Sequence, residues 1–192
     1  IGNLDLQNTI ISNLDVRYEH FFEGGQTVAL SGFYKYFQNP IELVAYSAAA
    51  PSNFQPRNVG NATVAGVEFE VRKNLNFIGL HNFEVNSNFS YIHSAVTRDS
   101  TEYAARVASA RIGEVIDELR PMQGQSPYMV NFGLNYNNPK KGWQGALFYN
   151  VQGEKLYIVG VADNPDVYEV PFHSLNFNLI KRFGEERQYQ MG

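Results

Sequence analysis

Glu68 and Glu70 are spaced as an acid–base pair would be on an extended strand, where residues i and i+2 face the same side. Asp15, Arg17, Glu19, Lys35 and Arg72 occupy equivalent alternating positions in their own runs, so the pair reads first as part of a solvated charged wall. His20, His81, His93 and His173 lie in or beside such runs without ligand spacing of the His-Glu-x-x-His kind, and no metal site is expected. The chain has no cysteine, hence no thiol nucleophile and no thiolate ligand, and it lacks a Gly-x-Ser-x-Gly elbow and a glycine-rich phosphate cradle. No cofactor is expected, and an enzyme is the third reading, resting on Glu68 or Glu70 alone. The sequons Asn61-Ala62-Thr63 and Asn88-Phe89-Ser90 read as coincidence, the second because it falls in mid-run. Ligand recognition is expected from side chains between the runs: Tyr46, Phe54, Arg57, Tyr103, Arg106 and Arg111, whose rings and guanidinium groups suit a sugar, a peptide or a chelate.

The elements that would position these residues announce themselves by alternation. Leu14, Val16 and Tyr18 interleave with Asp15, Arg17 and Glu19; Val28, Leu30, Tyr34 and Tyr36 with Thr27, Ser31 and Lys35; Val67, Phe69 and Val71 with Glu68, Glu70 and Arg72. A period of two gives each strand one oily and one wet face. Seven strands are predicted, over residues 12–22, 27–37, 63–72, 82–94, 128–136, 143–151 and 168–180. Val16, Val67, Phe69, Val85 and Leu134 should share one face, and Arg17, Glu68, Glu70 and Asn86 the other.

Short polar turns join alternate strands at Glu23-Gly24-Gly25-Gln26, at 74–79 and at Asn137-Asn138-Pro139-Lys140-Lys141-Gly142. Between them fall three longer connections, 38–61, 95–127 and 152–166, all on one side. The prolines of the first (Pro40, Pro51, Pro56) predict a loop. In the second, Ala104, Ala108, Ile112, Val115 and Leu119 recur at helical spacing, with Asp99 or Ser100 as cap and Pro121 as stop. The expected fold is therefore all-β: an antiparallel up-and-down meander, part of a transmembrane outer-membrane β-barrel with short turns on the periplasmic side and long loops outside.

Composition agrees. Aromatics make up 14% of 192 residues, almost all Tyr and Phe, and they gather at strand ends as interfacial girdles do: Phe21 and Phe22, Tyr36 and Phe37, Tyr91, Tyr128, Tyr136, Trp143. A mean hydropathy of −0.31 with no apolar run near about eighteen residues excludes a transmembrane helix but not a barrel, half of whose strand residues face water. The net charge of −4 is spread without a basic stripe, so nucleic acid is not an expected partner. No signal peptide opens the sequence, and Tyr189-Gln190-Met191-Gly192 looks like the start of another segment, so the chain is expected to be one β-barrel segment of a longer protein.

Several phrases carry a resemblance: Asn13-Leu14-Asp15-Val16-Arg17-Tyr18-Glu19; Gly32-Phe33-Tyr34-Lys35 followed by Asn39-Pro40-Ile41; Asn58-Val59-Gly60-Asn61-Ala62 before Gly66-Val67-Glu68-Phe69-Glu70; and Gln125-Ser126-Pro127-Tyr128 before Asn131. Over nearly its whole length the chain resembles the C-terminal half of the barrel of a TonB-dependent outer-membrane receptor of Gram-negative bacteria. The resemblance implies a barrel of about 22 strands, a plug domain not present in this stretch, energised nutrient uptake in the cell outer membrane and further C-terminal strands. It also implies partners: membrane lipid, the remaining barrel and plug, the TonB complex through the plug, and a small ligand such as a siderophore, glycan or peptide. Members normally end in an aromatic residue, whereas this chain ends in Gly192. The second reading is a soluble β-sandwich or β-barrel ligand-binding module, since alternation alone does not say whether the oily face meets lipid or a core. Loop-length alternation and girdle aromatics favour the membrane barrel.

Overall fold

The computed structural model describes residues 2–45, 53–162, 164–183 and 189–191. Its long strands are β1 (Ile10–Phe22), β2 (Gln26–Gln38), β5 (Ala62–Leu75), β6 (Leu80–Thr97), β8 (Tyr128–Asn138), β9 (Trp143–Gln152) and β12 (Phe172–Phe183). They form one antiparallel sheet in the order β1-β2-β5-β6-β8-β9-β12, continued by the short β13 (Tyr189–Met191). The predicted meander is observed. Gly24 and Gly25, at φ 72° and 74°, turn β1 into β2 as the tight hairpin requires.

Unbroken register fixes the faces, because residues directly opposite in an antiparallel pair lie on the same side. One row runs Tyr18, Leu30, Phe69, Phe89, Val130, Val151, and a neighbouring row runs Val85, Leu134, Leu147, Phe177. Val16 lies opposite Gly32 and, through it, Val67. Arg17, Glu68, Glu70 and Asn86 take the other parity, as expected. Phe177 on the apolar face is 70% exposed: among the described residues no second layer covers that face, as a soluble sandwich would need. Among the described residues, no helix is long and apolar enough to cross a membrane.

Four expectations are corrected. The connection 38–61 is not a plain loop: it holds a hairpin, β3 (Ile41–Ala45) against β4 (Phe54–Asn58), in which Pro56 pairs with Leu43 on a two-stranded sheet that is all edge and so tolerates it. The helix α1 spans Ser100–Ala108 only, and Ile112 and Val115 are exposed beyond it. Asp99 does cap it, accepting from the Thr101 and Glu102 amides at 2.8 and 2.7 Å, but the Ser109 hydroxyl donates back to Ala105 O at 2.8 Å and Gly113, at φ 86°, breaks the period well before Pro121. The third connection contains β10 (Lys155–Ile158), paired with β11 (Val167–Glu169). Tyr168 belongs to that small sheet, so the seventh wall strand begins at Phe172 rather than at Tyr168; Pro171 separates the two. The two-residue β7 (Leu119–Arg120) pairs with the upper end of β6.

The sheet is open. Among the described residues, β1 pairs only with β2, and the far side of β12 is met by β13 over three register positions only. Unpaired backbone along such edges is tolerated neither in lipid nor, without association, in water. Residues 1–192 expressed alone are therefore expected to aggregate or to pair edge to edge. Size-exclusion chromatography with light scattering checks this, and a detergent-free monomer that melts cooperatively would contradict the open sheet.

Candidate functional site

The buried core of this molecule lies not in the wall but where the three long connections meet. Val44 of β3, Val59, Ala62, Val96, Leu156 of β10 and Val159 form one buried cluster, with Phe37, Met122 and Val161 packed against it. A single-layer wall has little interior of its own, so most of the described apolar residues removed from solvent lie where the folded connections cover them, Ala29 in β2 being an exception. We call this assembly the cap.

Two devices knit the cap. The first is Gln123, whose side-chain amide accepts from the Leu43 N–H at 2.6 Å and donates to Leu43 O and Tyr157 O at 3.0 and 2.6 Å. It thus stands in for a strand between β3 and β10. Beside it, Val44 and Val159 form an isolated parallel bridge, with the Ala45 amide donating to Val159 O at 3.1 Å. No parallel pair occurs among the long wall strands.

The second device is a chain of alternating charges. Arg120 contacts Glu42 at 2.7 Å, off the N–H axis, so the pair is held as charges rather than as an aligned hydrogen bond. Its Nε donates to Glu102 at 3.0 Å; Arg98 donates to the same Glu102 oxygen and approaches Asp166 at 3.5 Å; Arg106 approaches Asp166 at 3.2 Å. Asp166 also accepts from the Gly160 amide, and Glu42 from the Gln123 amide, each at 2.8 Å. Three guanidinium groups and three carboxylates therefore balance, drawn from β3, the end of β6, α1, β7 and the approach to β11. Burial alone would lower the Arg120 pKa, yet the Glu42 charge, seconded by Glu102, outweighs it and holds the guanidinium above its ordinary value. Burial, with Asp166 adding to it, pushes the Tyr168 phenol up.

Of the residues expected to meet a ligand, Tyr46 lies outside the described residues. Phe54 and Arg57 sit on β4 and Tyr103 and Arg106 on α1. Arg57 and Arg106 are brought together: both line a cavity of about 120 Å³ with Val44, Glu102 and Val161. Arg106 is already engaged by Asp166 and by the carbonyls of Ala162 and Asn164 at 3.3 and 2.9 Å. Arg111 is exposed and shares a shallower recess with Arg106 and Glu114. A larger recess of about 400 Å³ lies among Tyr91, His93, Leu119, Gln125, Lys155 and Tyr168, none of them anticipated.

Sequence reasoning also missed Glu42, Arg98, Glu102, Arg120, Gln123 and Asp166. The sequence carried no signal for them: in Ile41-Glu42-Leu43-Val44 the single charge reads as on a wall strand, and only the structure shows Glu42 4% and Ile41 44% exposed, an inversion that a buried charged partner permits. Glu68 and Glu70 lie on the polar face, where Glu70 accepts from Arg17 at 2.8 and 3.2 Å, as part of the wall they were first read to be. Farther round, that face turns from ions to amides, with Asn131 donating to Asn88 at 2.6 Å and Asn150 donating to Asn131. His173 meets the Tyr149 hydroxyl at 2.7 Å and His20 packs edge-on to Phe22.

The comparisons with known proteins place this geometry. The family model described as TonB dependent receptor-like, beta-barrel matches residues 1–183. The copper transporter OprC is similar over 95% of this chain and 24% of its own, at 17% identity and a TM-score of 0.61. The ferric yersiniabactin uptake receptor FyuA from Yersinia pestis is similar over 88% of this chain and 22% of its own, at 17% identity and a TM-score of 0.53. The FrpB iron transporter from Neisseria meningitidis is similar over 93% of this chain and 25% of its own, at 9% identity and a TM-score of 0.56. The chain thus spans about a quarter of the length of the solved structures it matches. No curated protein sequence matches it.

Proposed function

The chain belongs to the TonB dependent receptor-like β-barrel family, and from that premise we propose that it forms seven wall strands and part of the outer mouth of an outer-membrane receptor that takes up a nutrient by energised transport. All 192 residues then serve as one barrel segment, with no chemistry of their own. The rest of the barrel pairs with β1 and β12, a plug fills the polar side, and the TonB complex acts through that plug. The observation that carries this reading is the uncovered apolar face, continuous across seven strands, above which every folded connection lies at one end.

The ligand, a small siderophore, glycan or peptide, would be met at the cap by Tyr46, Phe54, Arg57, Tyr103, Arg106 and Arg111. Arg106 would act chiefly through the frame it shares with Asp166, and exposed Arg111 by direct contact. A cysteine at Ile112, in the cap, is expected to react with a membrane-impermeant maleimide on intact cells expressing the receptor that carries this segment. A cysteine at Phe77, in a short turn, should react only after the outer membrane is permeabilised. The reverse pattern would place the cap in the periplasm and sink the proposal.

A further inference from the structure

Ionic side chains are distributed between the two faces of the wall in a way the transport role does not require. Along the register rows of the seven long strands, the apolar face carries no carboxylate, and its only cations are Lys73 and Lys181. Both stand at the short-turn end. Lys73 Nζ lies 3.8 Å from the centroid of the Phe22 ring and 5.8 Å from that of Phe77. Lys181, opposite Trp143 in the register, lies 4.8 Å from the Trp143 ring and 5.7 Å from Phe183. At the Lys181 end the cations multiply: Lys140 and Lys141 in the turn are both exposed, while Arg182 on β12 takes the other face.

The geometry there is rigid. Lys181 Nζ donates to Lys141 O at 2.5 Å, and the Arg182 amide to Gly142 O at 2.8 Å. Gly142, at φ 70°, approaches so closely that a Cβ would stand 2.6 Å from Arg182 O. The turn is thereby clamped to β12, whose Lys181 is held beside two rings at the edge of an otherwise uncharged apolar face. A bilayer offers one chemistry at that depth that is both anionic and adjacent to hydrocarbon, the headgroup phosphate. Rings that hold a lysine by cation–π contact also keep it at the headgroup level.

We propose that the short-turn end of the apolar face, centred on Lys181 with Lys141 and Trp143, is a binding site for the phosphodiester headgroup of a periplasmic-leaflet phospholipid. The proposal rests on the receptor reading, which turns this face to lipid. It is tested by native mass spectrometry of the purified receptor carrying this segment, released from nanodiscs that contain equal amounts of phosphatidylglycerol and diglucosyl-diacylglycerol, a lipid without phosphate. The wild type should retain phosphatidylglycerol about tenfold over the glycolipid. The K141Q/K181Q variant should lose most of that preference, whereas K35Q, on the polar face, should keep it. Millimolar inorganic phosphate should not displace the lipid. Equal retention of the two lipids by the wild type, or an equal loss in K35Q, overturns the site while leaving the receptor reading intact. A wild type that retains neither lipid overturns both.

Discussion

Arg120→Ala is expected to undock the cap. The substitution removes the sole cation paired with Glu42, whose side chain is 2% exposed and would keep only the Gln123 amide as partner, while Glu102 still has Arg98. Breaking a buried pair from one side costs about 3 to 5 kcal/mol, because the remaining charge stays desolvated. Removing both charges together, as in E42Q/R120M, should recover most of that loss, since a neutral amide that still accepts from the Gln123 N–H costs far less to bury than an unpaired carboxylate. Hydrogen exchange in the intact receptor checks both. Protection of the Leu43, Ala45 and Gln123 amides should collapse in R120A and largely return in the double variant. Unchanged protection in R120A would mean that the apolar cluster alone holds the cap.

Phe69→Arg should destabilise the inserted barrel by about 2 to 4 kcal/mol, because it places a guanidinium among lipid chains near mid-wall, whereas Val85→Arg, opposite Lys73 and nearer the short-turn end, should cost less. Phe69 sits in a row with Leu30, Phe89 and Val130, none of which offers an acceptor. Glu70→Arg, one residue away, should cost about 1 kcal/mol or less: it loses an exposed pair with Arg17, whose side chain is 39% exposed, and gains a like-charge neighbour that water screens. Reversible unfolding from lipid vesicles measures the contrast. Equal losses at the two positions would argue that the apolar face does not meet lipid.

The wall was legible because each of its residues answers to one local rule. Val67, Glu68, Phe69 and Glu70 alternate, the glycines of the first turn can take positive φ, and sequential strands pair with their neighbours along the chain. The cap was not legible, because its stabilising contacts break those rules for reasons that exist only in three dimensions. Pro56 sits in a strand because, among the described residues, no further strand pairs on its far side, where its carbonyl accepts from the Asn3 side chain, and Glu42 is buried because Arg120 arrives from a distant segment. The helical spacing from Ala104 to Leu119 was genuine for its first half, then was overruled by the Ser109 hydroxyl and by the backbone at Gly113. Tyr168 continued the alternation of the seventh strand across Pro171, although the two stretches belong to different sheets. Arg57 and Arg106 were singled out for their side-chain chemistry and do share a cavity, while Gln123, an uncharged polar residue in a presumed loop, gave no warning of its role.

Gln123 has a further consequence, for the order of assembly. The hairpins of the wall close over a few residues, whereas the Gln123 contacts to Leu43 and Glu42 join positions 80 and 81 apart. Loop-closure entropy makes such distant contacts late ones, formed after β2, β5 and β6 have been laid side by side. A one-residue slip between any two of those strands would exchange the faces of one of them and carry Arg120, Glu42 or Gln123 out of reach. Closure of the cap is thereby coupled to the alignment of β2, β5 and β6: its long-range contacts form only when these strands are in register.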